Sequence, residues 1–140
     1  MTNKTIFILI IATVFLFSCD PIFRAEIKND SKYETVLKIK FDTIELHKYW
    51  GGRTYIPYLK SYPGHTDINH LDFDTINLIK TFIIKPNTTF PIETGTSKPD
   101  LALFKTIMLI NKDTLKLETK KEMYDSFKRV DNRLWMLIIK

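Results

Sequence analysis

Residues 23 to 41 read FRAEIKNDSKYETVLKIKF, and this stretch sets the expected fold class. From Phe23 to Lys28, and again from Glu34 to Phe41, apolar and polar residues alternate. An alternation of period two is typical of a strand with one buried face. Between the two runs lies Asn29-Asp30-Ser31, and the side chains of these residue types satisfy backbone groups in turns. The stretch therefore predicts two strands joined as a β-hairpin.

Short strand-like segments continue along the rest of the chain. They lie at Thr43 to His47, Tyr55 to Leu59, Ile76 to Ile84, Phe90 to Glu93, Phe104 to Ile110, Thr114 to Glu118 and Leu134 to Ile139. In the first of them Ile44 and Leu46 are expected to point inward. The turn residues Asn111 to Asp113 predict a second hairpin. The last segment is apolar throughout, which predicts a central strand covered on both faces.

One segment near the C-terminus has a helical period instead. Met123, Phe127 and Val130 follow the i, i+4, i+7 spacing, and Thr119 with Glu122 has the form of a capping box. Many short strands with a single late helix indicate a mainly β chain. The predicted fold is an antiparallel Ig-like β-sandwich, with one short C-terminal α-helix before the last strand, and residues 23–140 form its single domain.

Residues 49 to 64 differ in composition from the strands. They hold four of the six tyrosines, three of the four glycines and one of the two tryptophans. Trp, Tyr and Arg dominate interface hot spots, and their flat side chains suit stacking on sugar rings. The candidates for a binding surface are Tyr49, Trp50, Arg53, Tyr55, Tyr58 and Tyr62. The alternative is that these aromatic side chains fold back as a structural lid over one end of the sandwich.

The sequence gives less support to metal binding, catalysis or nucleic-acid binding. His65, Asp67, His70, Asp72 and Asp74 are suitable ligand types for a divalent metal, but no HExxH or paired-cysteine spacing accompanies them. We assign no metal, no cofactor and no catalytic residue, because nucleophile elbows and phosphate-binding glycine loops are also absent. The net charge of +5 is spread without a block of like charges, which argues against nucleic acid as a partner.

The N-terminus carries the pattern of an export signal. Lys4 precedes an apolar run from Ile6 to Phe17, and Cys19 is the only cysteine. Twelve helical residues span roughly 18 Å, well short of the ~30 Å hydrocarbon core of a bilayer. We therefore expect residues 1–18 to be a cleaved signal peptide and residues 19–22 to be a tether.

The end of this run resembles the lipobox of bacterial lipoproteins, through Leu16, Ser18 and Cys19. The resemblance implies that Cys19 becomes the lipidated N-terminus, with acyl chains such as palmitate holding the domain on the membrane. It also accounts for a single cysteine in an exported chain. Replacement of this cysteine is the direct test of the resemblance.

The rest of the chain resembles small lipoproteins of Bacteroidetes envelopes, in the segments Ser18 to Pro21, Ala25 to Asn29, Lys85 to Asn87 and Phe127 to Ile138. That group has no assigned activity, and the resemblance implies an exported protein on the outer rather than the inner membrane. The group's O-glycosylation pattern, Asp followed by Ser or Thr and an apolar residue, matches at Thr43, Thr75 and Thr114.

These observations together predict a lipid-anchored cell-envelope protein with a non-enzymatic binding or structural role. Its expected partners are the membrane, through the lipid, and an envelope protein or a glycan. Two alternatives stay open. One is a glycan-binding accessory lipoprotein that uses the aromatic loop 49–64, and the other is an immunity or inhibitor lipoprotein.

Overall fold

The computed structural model describes residues 21–51, 53–63 and 70–140. The predicted signal peptide, Cys19 and the pair His65 and Asp67 lie outside these residues. The described strands are β1 Phe23–Asn29, β2 Thr35–Phe41, β3 His70–Asp74, β4 Ile79–Ile84, β5 Thr88–Gly95, β6 Phe104–Ile110, β7 Thr114–Leu117, β8 Lys128–Arg129 and β9 Leu134–Ile139. The described helices are α1 Thr43–Trp50, α2 Ile56–Ser61 and α3 Lys120–Ser126.

The strands form two sheets, which confirms the mainly β prediction. One sheet has the order β5-β1-β9-β8 and the other the order β3-β4-β2-β6-β7. All of their neighbouring strands run antiparallel except β1 and β9, which pair in parallel from Arg24 to Asn29. A short helix precedes the last strands, as predicted.

The hairpin predicted for residues 23 to 41 is wrong, although both of its strands are confirmed. β1 lies between β5 and β9, whereas β2 lies in the other sheet between β4 and β6. The connecting turn crosses from one sheet to the other. Its Asn29 is fully buried and donates hydrogen bonds to the carbonyls of Tyr33 at 2.7 Å and Ile84 at 3.0 Å. The polar turn residues therefore hold a corner between the two sheets.

The second predicted hairpin is confirmed by β6 and β7, which pair across Asn111 to Asp113. β9 also forms where predicted, but it is not covered on both faces. Only Leu137 is buried along it, and Ile138 is 48% exposed. On one side, the neighbour of β9 is the edge strand β8, which has only two residues. β9 therefore lies close to the edge of its sheet.

Two of the predicted strands are helices. Thr43 to His47 belongs to α1 because the Asp42 carboxylate caps it, accepting hydrogen bonds from the backbone N–H groups of Ile44 and Glu45 at 2.9 and 3.3 Å. Leu46 points inward, but Ile44 is 75% exposed.

The second is Tyr55 to Leu59, which falls largely in α2, where Pro57 occupies the first turn. Because α1 and α2 are also helices, the prediction of a single helix was wrong. The capping box of Thr119 and Glu122 at α3 is confirmed.

A further difference concerns the start of β4. The strand begins at Ile79, not at Ile76, and Ile76 lies in an exposed turn after β3, a strand that the sequence did not predict. Asp74 builds this turn, since its Oδ1 accepts hydrogen bonds from the N–H groups of Ile76 and Asn77, each at 2.9 Å.

Buried side chains of both sheets and of the three described helices form one core. Lys80 of β4 is an unusual member, with 1% of its surface exposed. Its ammonium donates hydrogen bonds to the carbonyls of Leu59, Lys60 and Tyr62 at 2.8, 2.8 and 2.6 Å. These carbonyls lie at the C-terminal end of α2, where backbone acceptors lack intrahelical donors. Lys80 thus fixes α2 to the sheet below it.

Candidate functional site

Four of the predicted aromatic residues form a continuous row. The ring centroids of Tyr49 and Trp50 lie 4.6 Å apart, those of Trp50 and Tyr58 4.7 Å, and those of Tyr58 and Tyr62 6.3 Å. Tyr49 and Trp50 end α1, Tyr58 lies in α2, and Tyr62 directly follows α2. We call these four residues the aromatic row. It passes from the exposed Tyr49 to the buried Tyr62.

The other two predicted residues of this segment do not join the row. Tyr55 packs edge to face against His47 of α1, with their centroids 5.3 Å apart. The Arg53 side chain is exposed, and its backbone N–H donates a hydrogen bond to the Trp50 carbonyl at 3.1 Å. The structure therefore divides the predicted surface into a row of four and two separate residues.

The aromatic row forms one wall of a cavity of about 640 Å³. A second wall comes from β5 and from the loop between β5 and β6. We call this cavity the groove, and its described lining residues are Glu45, Lys48, Tyr49, Trp50, Tyr58, Tyr62, Pro63, Pro91, Ile92, Glu93, Thr94, Gly95, Thr96, Ser97, Asp100, Ala102, Leu103 and Phe104. Its size and mixed lining are those of a small-molecule site.

Side chains outside the β5–β6 loop hold that loop in place. The Glu93 carboxylate accepts hydrogen bonds from the backbone N–H groups of Asp100 at 3.2 Å and Leu101 at 2.9 Å. The Lys120 ammonium of α3 donates to the carbonyls of Leu101, Ala102 and Phe104 at 2.7, 2.8 and 2.6 Å. Leu101 has a φ of +50°, a strained value for a leucine, which these contacts stabilise.

Polar contacts also hold the aromatic row in place. Tyr62 is buried and its hydroxyl donates a hydrogen bond to the Ile92 carbonyl of β5. Lys80 binds the last carbonyls of α2 from below. Both walls are anchored by buried or half-buried polar contacts, so the shape of the groove is set by contacts within the chain itself.

Burial changes the acid–base behaviour of two lining residues. It raises the pKa of the Tyr58 hydroxyl above its ordinary value, with a smaller contribution from neighbouring Tyr49 and then Glu93. It also raises the pKa of the Glu93 carboxyl, against the lowering effect of the two N–H groups that it accepts. Glu93 was not predicted from the sequence, since its role depends on a loop that folds back from seven residues away.

The remaining predicted positions lie away from the groove. Thr43, Thr75 and Thr114 are all exposed, at the start of α1, in the turn after β3 and at the start of β7. The described residues hold no group of three His, Cys, Asp or Glu side chains that could bind a metal. In the part of the chain that the structure describes, no helix is both long and apolar enough to cross a membrane.

Comparisons with known proteins found no match. No protein-family model matches the chain, and no curated protein or solved structure matches it at a significant level.

Proposed function

We propose that the protein is a lipid-anchored, exported envelope protein that binds its ligand in the groove without transforming it. The observation that carries the binding proposal is the aromatic row, whose rings line a preformed cavity. Packed aromatic rings with polar tips give rigid, amphipathic contact area, which is what a recognition surface requires. The lipid anchor is supported by the sequence from Ile6 to Cys19.

The favoured ligand class is a saccharide. Trp50 and Tyr58 are partly exposed and adjacent, with ring planes inclined at 45°, so they offer two neighbouring faces for stacking. Thr94, Thr96 and Ser97 on the second wall supply hydroxyl groups that suit the hydroxyls of a sugar. This interpretation makes the protein a glycan-binding accessory lipoprotein.

We also propose that the two sheets face each other as a sandwich of the Ig-like kind. The support is that inward-facing side chains of both sheets belong to one core. An experimental structure in which the sheets do not face each other across this core would contradict it.

The binding proposal predicts that replacing both Trp50 and Tyr58 by alanine removes saccharide binding. Loss of two stacking faces in one site weakens binding by at least about thirtyfold at ~1–3 kcal/mol per ring. The measurement is binding of the purified protein to an array of envelope polysaccharides.

The matched control for this experiment is the double variant Trp135→Ala with Tyr33→Ala. Trp135 packs on Phe23 and Tyr33 lies under Lys112, so both aromatic residues are outside the groove. Equal binding by the groove variant and the native protein, with both folded by circular dichroism, would show that the aromatic row is only structural.

The anchor proposal predicts that Cys19→Ala abolishes lipid attachment. The thiol is the acceptor of the acyl chains, and without several acyl chains the domain has no stable hold on the membrane. In the native host, labelling with an alkyne palmitate and membrane fractionation measure the effect. Ser18→Ala is the matched control, because alanine suits a lipobox at that position. A Cys19→Ala protein that stays with the membrane would contradict the anchor.

The exposed threonines predict glycosylation at Thr43, Thr75 and Thr114. Asp42 caps the first turn of α1 and Asp74 builds the turn after β3, and the threonines that follow them, Thr43 and Thr75, are both exposed. The intact mass of protein from the native host is then expected to exceed polypeptide plus lipid, and Thr→Ala at all three positions restores that sum. Thr35→Ala, at a buried threonine, is the control. A native mass without the excess would rule out the modification.

A further inference from the structure

Carboxylates gather on the groove from three separate elements. Glu45 comes from α1, Glu93 from β5 and Asp100 from the β5–β6 loop, and all three line the cavity. Asp42, the cap of α1, lies close enough to act with them on the ammonium of Lys120. The chain as a whole is basic, with a net charge of +5, so this face has the opposite sign to the average surface.

Two positive charges lie near the groove. The Lys120 ammonium donates to the carbonyl oxygens of Leu101, Ala102 and Phe104 and keeps its charge, which acts on Asp42, Glu45, Glu93 and Asp100. Lys48 pairs with Glu45 at 3.5 Å and is the only Lys, Arg or His among the described residues that line the groove. Four carboxylates therefore outnumber two ammonium groups, and this excess of negative charge favours a positive charge on the ligand.

The position of the aromatic row strengthens this preference. A cation over the face of Trp or Tyr is attracted by the ring quadrupole, and the attraction grows where water is partly excluded. Trp50 is half-buried and Tyr58 is 40% exposed, so their faces are partly shielded while still open to the groove. Aromatic rings and carboxylates lining the same cavity are the two groups that recognise an organic cation.

We infer that the ligand of the groove presents a protonated primary amine between the Trp50–Tyr58 faces and the carboxylates of Glu45 and Asp100. This inference rests on the proposed function, in which the groove is the binding site, and it specifies the chemistry of the ligand. An amino sugar and a lysine side chain both carry this group. The experiment below separates the two sources.

The test compares two trisaccharides that differ in their amino groups, by calorimetric titration of the purified full chain in detergent at low salt and at a pH at which free amines are protonated. One is β-1,4-linked glucosamine with free amines, and the other is its fully N-acetylated form. We expect the amine form to bind about tenfold or more tightly, which corresponds to one shielded cation–π contact with one carboxylate contact. Trilysine, as a third probe, is expected to bind as tightly only if the source is a peptide.

A charge-removing variant tests the carboxylates themselves. Asp100→Asn keeps the oxygen that accepts the Ala102 N–H at 2.8 Å, so the loop retains its contact. Combined with Glu45→Gln, it is expected to reduce the tenfold preference for the amine form over the N-acetylated form to near unity. Asp113→Asn with Glu118→Gln removes the same charge from exposed positions elsewhere and is the matched control.

The outcomes separate the inference from the proposal beneath it. If both trisaccharides bind equally and Trp50→Ala abolishes both, the groove is a saccharide site and the amine preference is wrong. If the N-acetylated form binds more tightly than the amine form, the amine preference is also wrong. If none of the three probes binds, and the polysaccharide array is likewise negative, the inference fails together with the saccharide site.

Discussion

Replacing Lys80 by methionine is expected to lower the free energy of unfolding by about 2–4 kcal/mol. Methionine fills a similar volume but donates no hydrogen bond. The carbonyls of Leu59, Lys60 and Tyr62 would then be left without the donor that they share. The variant no longer buries an ammonium, and this offsets part of the lost stability. In the native protein, burial lowers the pKa of the Lys80 ammonium. The loss of three acceptor contacts outweighs this offset, because buried carbonyls without donors are costly.

Chemical denaturation monitored by tryptophan fluorescence measures this change. The matched control is Lys38→Met on the neighbouring strand β2, where the lysine is exposed and the expected effect is within about 0.5 kcal/mol. We also expect Lys80→Met to weaken saccharide binding, since α2 carries Tyr58 of the aromatic row. A Lys80→Met protein as stable as the native one would show that the end of α2 finds other donors.

Replacing Tyr62 by alanine is expected to have the second large effect, about 3–5 kcal/mol of destabilisation. Its ring lies at the centre of the aromatic core, with centroids 5.3 Å from Phe41, 6.1 Å from Phe104 and 6.4 Å from Phe82. Removing it leaves a cavity among three rings that are held on β2, β4 and β6 of one sheet and cannot all shift to fill it. Tyr62→Phe keeps the ring and is expected to lose only about 1–2 kcal/mol, for the hydrogen bond to Ile92.

The phenylalanine variant also has an expected signature in alkaline solution. Burial raises the pKa of the Tyr62 hydroxyl well above its ordinary value of 10.0, with Tyr58 and Glu93 adding to the rise. Above pH 10 the unfolded chain releases this proton while the folded chain retains it, so stability falls as the pH rises. Tyr62→Phe removes that contribution and is expected to show a shallower decline between pH 9 and 11. Parallel declines in the two proteins would contradict the assignment.

Local sequence patterns predicted an element correctly where the residues that determine its structure lie close together in the chain. The alternation in β1 and β2, the turn between β6 and β7 and the capping box of α3 all depend on residues close together in the chain. Such local contacts can be recognised from a short hydrophobic period or from a single turn or capping residue. The pairing of β1 with β9 depends on residues about 110 positions apart, and no local pattern indicates it.

The errors at α1 and α2 have a different physical cause. Thr43 to His47 alternates like a strand, yet the Asp42 side chain caps the first turn and Leu46 alone supplies the buried contact. Asp74 repeats the same capping geometry in a turn, without a helix following. An Asp-Thr-Ile sequence is thus a signal that a strand has ended. Tertiary packing then decides whether a helix or a turn follows.

The candidate site was predicted on one side only. Composition pointed to Tyr49, Trp50, Tyr58 and Tyr62, since aromatic residues are conspicuous in a polar segment. The second wall includes Glu93 of β5 and Asp100 of the β5–β6 loop, and isolated acidic residues give no signal of a site in a sequence. Their meaning depends on the fold, which brings the β5–β6 loop to the same cavity as α1 and α2.

The parallel pair of β1 and β9 has a consequence for how the nascent chain acquires its structure. β1 is among the first parts of the domain to be synthesised, and its partner β9 is the last strand made. Closing a loop of that length carries a large entropic penalty before the pairing contributes any stability, so this sheet forms slowly and late. Any chain interrupted before Leu134 exposes the hydrogen-bonding edge of β1. Such intermediates are the species that chaperones bind and proteases remove.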